Sequence, residues 1–344
     1  MLPSLLLGLT FGAVMLLSAF SFAGAFRRFL ADRRAAGLHA QFLMIAAATL
    51  LILPATTAGT LFDTPVRGLV FPPGTAVVIG AFVFGIGMQL GGGCASGTLY
   101  ATGGGSLRAL LTLAFFVIGA TLASWQSDLR QHWPAPPAVA LADTIGLLPT
   151  LLATATILAT AAWLTTRLER RRHGTTEPIR PPLLWAALTL AALNFLTLPI
   201  AGRPWAITAA FPLWGAKAVA ALGLDEPAFW PFWEDPTRVD ALLRPLSADR
   251  MTAMNLGMLA GAFLAAALAG KFTLTRPTPG EAAASTIGGL LLGIGAVLAA
   301  GCNISAYVSG IASGSLHGWL WIVPALLGNW LGLRLRPAFR IRGI

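Results

Sequence analysis

Apolar residues run through this chain in unbroken blocks, with neither the two-residue alternation of a half-buried strand nor the single apolar stripe of a soluble helix. Blocks such as "LLATATILATAAWL" carry leucine and alanine around the whole circumference of a would-be helix, as a segment surrounded by lipid or protein must. They recur at roughly 20 residues, enough for an α-helix to cross about 30 Å of hydrocarbon. The pattern predicts about nine such helices, over residues 5–26, 40–60, 75–91, 107–125, 145–164, 183–198, 251–269, 285–300 and 319–335. In lipid only helices and closed barrels satisfy every backbone group, and the alternating strands of about 10 residues that build a barrel do not occur in these blocks. The predicted fold class is therefore an all-α integral membrane protein, one polytopic domain over residues 1–344 embedded in the lipid bilayer.

Composition agrees: of 344 residues, 56% are hydrophobic and 10% charged, against about 25% charged in soluble domains. The formal charge of +10 invites a nucleic-acid reading, but the arginines are not interleaved with stacking aromatics on one polar surface. They cluster beside the ends of apolar blocks, at Arg27, Arg28, Arg33 and Arg34, at Arg167, Arg170, Arg171, Arg172 and Arg180, and at Arg334, Arg336, Arg340 and Arg342. Such clusters mark cytoplasmic ends, so nucleic acid is excluded as a partner. The implied orientation has the N-terminus outside and the C-terminus cytoplasmic. Ala23-Gly24-Ala25 imitates a signal-peptidase site, yet no Lys or Arg precedes it, and a retained first helix is expected. Residues 201–250 read as a partly inserted helix followed by an external loop rich in Trp and acid, and the eleven tryptophans as mostly an interfacial belt.

Two polar interruptions stand out. "GGGCASGTLY" (91–100) and "AGCNISAY" (300–307) hold the chain's two cysteines. Gly85, Gly87, Gly93 and Cys94 recur 208 residues later as Gly293, Gly295, Gly301 and Cys302. This defines a repeat A over about 40–125 and a repeat B over about 248–335, which the charge pattern orients oppositely across the membrane. Inverted repeats with glycine-interrupted segments at matching positions point to a midplane site. Close helix packing alone accounts for the glycines, but not for a cysteine at the same place twice. Each cysteine falls where a helix breaks and a short one starts, so free backbone N–H groups there attract an anion, and the thiols add soft, weak donors. The candidate pathway residues are Cys94 and Cys302, with Gly93, Ser96, Gly97, Tyr100, Gly301, Asn303, Ser305 and Tyr307. Ser96, Thr98, Asn303 and Ser305 also serve to satisfy the broken backbone, and the tyrosines either line the path or anchor at the interface. The four histidines lack ligand spacing to the cysteines and there is no CxxC, so no metal or other cofactor is implied. A membrane thiol redox protein using Cys94 and Cys302 stays open as the alternative.

The strings "GIGMQLGGGCASGTLY", "GIGAVLAAGCNISAYVSGIASGSLHGW" and "GRPWAITAAFPLWGAK" closely resemble the YeeE/YedE sulfur-transport family over almost the whole chain. The resemblance implies an hourglass-like bundle with inverted repeats and short re-entrant helices. It implies import of a small sulfur-containing anion, thiosulfate first, with selenium compounds or other sulfur species as the alternative, by a transporter and not an enzyme. By resemblance Cys94 and Cys302 relay the substrate through S–H hydrogen bonds, and a small TusA-like sulfurtransferase is the cytoplasmic partner. The family pattern Phe-Cys-x-x-Gly-Ala-x-Arg corresponds here to "FSFAGAFR", which puts Ser21 where the family has a third cysteine. A hydroxyl is the stronger donor and the less polarisable one.

Overall fold

The computed structural model describes residues 1–128 and 133–341. His132 and Arg342 lie outside these described residues. In chain order the helices are α1 (Leu2–Ser18), α2 (Phe22–Asp32), α3 (Ala36–Ala58), α4 (Thr75–Gly91), α5 (Ala95–Gly103), α6 (Leu107–Trp125), α7 (Leu141–Ile145) and α8 (Leu147–His173). There follow α9 (Pro181–Ala201), α10 (Ala210–Ala221), α11 (Pro236–Leu243), α12 (Arg250–Leu268), α13 (Pro279–Leu298), α14 (Ser309–Ala312) and α15 (Leu316–Leu335). A two-stranded hairpin, Thr60–Leu61 paired with Thr64–Pro65, is the sheet among the described residues.

Eight helical spans among the described residues are long and apolar enough to cross a membrane, with α1–α2, α4–α5 and α13–α14 each counting as one interrupted span. The ninth expected crossing is α15, whose 20 residues give about 30 Å of rise. His317, Asn329 and Arg334 lower its hydropathy, and it is not among the eight. The first expected helix is not continuous. α1 stops at Ser18, Ala19 takes a left-handed conformation (φ 53°), and its N–H and that of Phe20 close back onto Leu16 and Met15. Ser21 then caps α2 by accepting the Gly24 N–H at 3.0 Å. The break is capped on both sides by ordinary helix-end chemistry, which hydropathy alone does not register because Phe20 and Phe22 keep the segment apolar. Conversely, α8 runs on through Arg170–Arg172, because arginine is a good helix former and favours the last turn; Gly174 (φ 73°) ends it.

Packing follows a reciprocal pattern. α1 lies along α12 and α9 along α3; α4 packs on α15 and α13 on α6; α5 meets α12 and α14 meets α3. α4 and α13 also pack on each other at the centre, and their spans are the most buried, at 67% each. Glycines make this closeness possible. A Cβ at Gly85 would strike the Ala325 carbonyl, and one at Gly293 the Phe116 carbonyl, so these backbones touch as small-residue membrane interfaces do.

Tryptophans depart from the expected belt. Trp125, Trp163, Trp185 and Trp330 are exposed as expected, but Trp205, Trp230, Trp233 and Trp321 are buried. Trp230 and Trp233 pack with Leu213, Ala216 and Leu242 in a satellite cluster. The segment after α10 is thus a folded cap over that helix, built because large aromatic area gains most by leaving water.

Candidate functional site

Both cysteines occupy helix starts, and the local chain dictates it. α4 ends at Gly91, Gly92 turns with φ 85°, and Cys94 is the extended N-cap residue of α5 (φ −87°, ψ −170°). The Thr98 backbone N–H and hydroxyl both bond the Cys94 carbonyl at 2.8 Å. The Ser96 hydroxyl lies 3.2 Å from Cys94 Sγ, and the N–H groups of Ser96 and Gly97 face the sulfur. A Cβ at Gly93 would come 3.2 Å from the Gly97–Thr98 peptide, so a larger residue there would push on the turn that holds the thiol.

The second start is the counterpart. Ala300 (φ 54°) and Gly301 (φ 146°) reverse the chain after α13, and Cys302 caps a π-helical turn over Asn303–Val308 that leads into α14. The turn is wide because the Cys302 carbonyl accepts from both Ala306 (2.7 Å) and Tyr307 (3.3 Å); such π turns are frequent at functional sites. Ser305 Oγ accepts the Cys302 N–H at 2.9 Å and lies 3.4 Å from Cys302 Sγ, while the Ile304 and Ser305 N–H groups face the sulfur. A Cβ at Gly301 would come 2.6 Å from Ser305 Oγ, so glycine is required there by both conformation and space.

Cys94 and Cys302 are both free thiols, 1% and 0% exposed, and lie within electrostatic reach of each other. On the Cys94 side, Tyr100 faces Ser21, with Cys94 and Arg27 in reach of its hydroxyl. The interrupted α1–α2 span thereby brings its cap residue to the first cysteine helix. On the Cys302 side, Tyr307 is buried, stacks on Trp321 at 6.1 Å and approaches Phe26 at 6.5 Å, so it is no interfacial anchor. Thr208 Oγ1 lies 3.3 Å from Ser305 Oγ. Asn194 donates to Ser309 (2.9 Å) and accepts the Trp205 N–H (2.9 Å), and Asn255 donates to the Ile207 carbonyl (2.9 Å). These asparagines tie the helix break after α9 to α12 and α14, an interhelical role common for asparagine in membrane bundles. Asn303 does not satisfy the broken backbone as expected: neither its amide nitrogen nor its oxygen has a partner, and the indole N–H groups of Trp205 and Trp321 are likewise buried and unpaired. Buried native polar groups are seldom left so. Thr208 was not legible as a neighbour of Ser305, although the strings "GRPW" and "FP" around it signal a helix break.

A family model described as sulphur transport matches residues 17–331, a range that contains Ser21, both cysteine helix starts and the Thr208 turn. The chain belongs to the sulphur transport family. It is 30% identical over 275 residues to the protein named thiosulfate transporter TsuA of Spirochaeta thermophila, covering 74% of this chain and 75% of that one. It is 28% identical over 342 residues to the protein named thiosulfate transporter TsuA of Escherichia coli, covering 96% of this chain and 92% of that one. The Escherichia coli protein named probable transporter YedE is 32% identical over 166 residues, 38% of its length. Membership agrees with the resemblance carried by the glycine–cysteine strings and with a multi-pass membrane fold.

Proposed function

We propose that this protein imports thiosulfate across a bacterial inner membrane along a path through Cys302 and Cys94, with Ser21 as the next polar step. The observation that carries this reading is the pair of thiols, each at a glycine-freed helix start, each ringed by first-turn N–H groups and a serine hydroxyl, and both sealed from solvent. Taking an anion out of water costs several kcal/mol per charge. Converging backbone N–H groups offset that cost, and thiols add donors weak enough for the ion to leave again. The names of the similar proteins support thiosulfate as the substrate.

The reciprocal packing of α1 on α12 and α9 on α3, and of α4 on α15 and α13 on α6, supports reading residues 40–125 and 248–335 as inverted repeats. In that arrangement the two cysteine starts are approached from opposite membrane faces, and the path narrows between them in an hourglass. Orientation with the arginine clusters inside puts Cys302 on the periplasmic half and Cys94, Tyr100 and Ser21 on the cytoplasmic half. Thiosulfate is a dianion, so its entry opposes an inside-negative potential by about 2.3 kcal/mol per charge per 100 mV. A cytoplasmic TusA-like acceptor that removes the sulfur would draw the flow inward.

The test is uptake of radiolabelled thiosulfate in cells lacking other importers. The electrostatic influence of Cys302 on Cys94 supports one other reading, a membrane thiol redox protein. Under that reading mild oxidation would join the two residues reversibly, and thiosulfate uptake would not depend on them.

A further inference from the structure

The cysteine path does not use the arginines that gather at its Arg27 end. The last turn of α4 presents the Gln89 and Leu90 carbonyls, and arginines from two other elements converge on it. Arg108, from the start of α6, donates to the Leu90 carbonyl at 2.9 Å, pairs with Glu281 at 3.3 Å and donates to Ser285 at 3.3 Å. Arg336, just past α15, donates to the Gln89 carbonyl at 3.4 Å. Gln89 in turn donates to the Ala23 carbonyl at 3.2 Å, which draws in α2, and with it Arg27 one turn further on. Arg27 carries a buried Nε with no partner, and its charge acts on Tyr100, Arg108 and Arg336. The Arg108 guanidinium rests over Gly92 at the distance of ordinary contact, 3.5 Å from where a Cβ would stand, two residues from Cys94.

Capping the α4 terminus explains Arg108 and Arg336 singly, since cations suit a helix C-terminus. It does not explain Arg27, nor why three guanidiniums share one neighbourhood with Glu281. Like charges so placed repel, and burial, then Arg27 and Arg108, hold Arg336 down to about 10, below the usual arginine range, with Glu281 opposing. A dianion between them would cancel that repulsion and occupy the idle Arg27 Nε, and a planar guanidinium fork matches a tetrahedral oxyanion.

We propose that Arg27, Arg108 and Arg336 form a second anion site beyond Cys94, at which thiosulfate pauses between the cysteine path and the arginine-rich face of the membrane. The site deepens the transport reading and rests on it for the identity of the ion. Tyr100, which faces Ser21 and lies in reach of both Cys94 and Arg27, is the link between path and site.

The test is equilibrium binding of radiolabelled thiosulfate to the purified full-length protein in detergent, at fixed ionic strength in chloride, with uptake measured in parallel. Wild type binds, unlabelled sulfate competes, and Arg27→Gln weakens binding about tenfold, the cost of one lost charge-assisted contact. Arg27→Lys, which keeps the charge and the fold-neutral stem but loses the fork, weakens it about threefold and serves if the glutamine variant does not fold. Arg27→Gln weakens the remaining binding by the same factor in a Cys94→Ala/Cys302→Ala background, in which uptake is lost. Unchanged affinity in both Arg27 variants, or no binding by wild type, overturns the site. Competition by phosphatidylglycerol but not by sulfate assigns the arginines to a lipid headgroup and overturns it equally. Thiosulfate binding that depends on Arg27 without any uptake by wild type would instead sink the transport reading and leave the anion site standing.

Discussion

Ser21 is the residue on which the chemistry of the proposed path turns. It caps α2 through Gly24 and faces Tyr100, so its hydroxyl has structural work as well as the place proposed for it beside the path. The similar family pattern has a thiol there, and a thiol accepts and releases a soft sulfur anion more readily than a hydroxyl. Ser21→Cys is expected to raise thiosulfate flux about threefold, the effect of roughly 0.7 kcal/mol in one hydrogen bond, read as initial uptake rate at equal protein in the membrane. Unchanged or lower flux would remove position 21 from the path. Gly301→Ala tests the other start: its φ of 146° and the 2.6 Å approach to Ser305 Oγ should lower stability by about 1–3 kcal/mol, measured as a fall in the detergent melting temperature. At this scale the cysteines, Ser96 and Ser305 were legible, because a helix break must be satisfied locally and the satisfying residues are sequence neighbours. Thr208, the unpaired Asn303 amide and the partners of Arg108 were not, because each depends on which distant backbone is brought alongside.

Elements were legible where hydropathy reports them and opaque where capping decides. The break at Ala19–Ser21 hides inside an apolar run, since its only polar signature is the Ser21 and Gly24 pair that forms the cap. The continuation of α8 through its arginines and the burial of Trp230 and Trp233 were missed for the opposite reason: charge was read as an end, and tryptophan as an anchor, where helix propensity and aromatic burial prevail. Glycine spacing was the better guide, because it reports how closely two helices can approach. Gly85→Val should drive a side chain into the Ala325 carbonyl and force α4 from α15. Overpacking of this kind costs about 1–3 kcal/mol or more, and the expected outcome is a lower detergent melting temperature with reduced accumulation in the membrane. A stable, well-expressed variant would mean that the two helices have room to separate.

The whole molecule joins these parts through its orientation. If the arginine clusters face the cytoplasm, a cysteine placed at exposed Leu224, after α10, reacts with a membrane-impermeant maleimide in intact cells. One placed at Thr175, just past α8, reacts only after permeabilisation, and the reverse labelling would invert the path. Native Cys94 and Cys302 are sealed and give little background. The central claim is that these two thiols carry thiosulfate, and uptake of radiolabelled thiosulfate by cells without other importers tests it most directly. Cys94→Ala and Cys302→Ala, each confirmed present in the membrane at wild-type level, should both reduce uptake to background. Uptake at the wild-type rate in both variants would contradict the account.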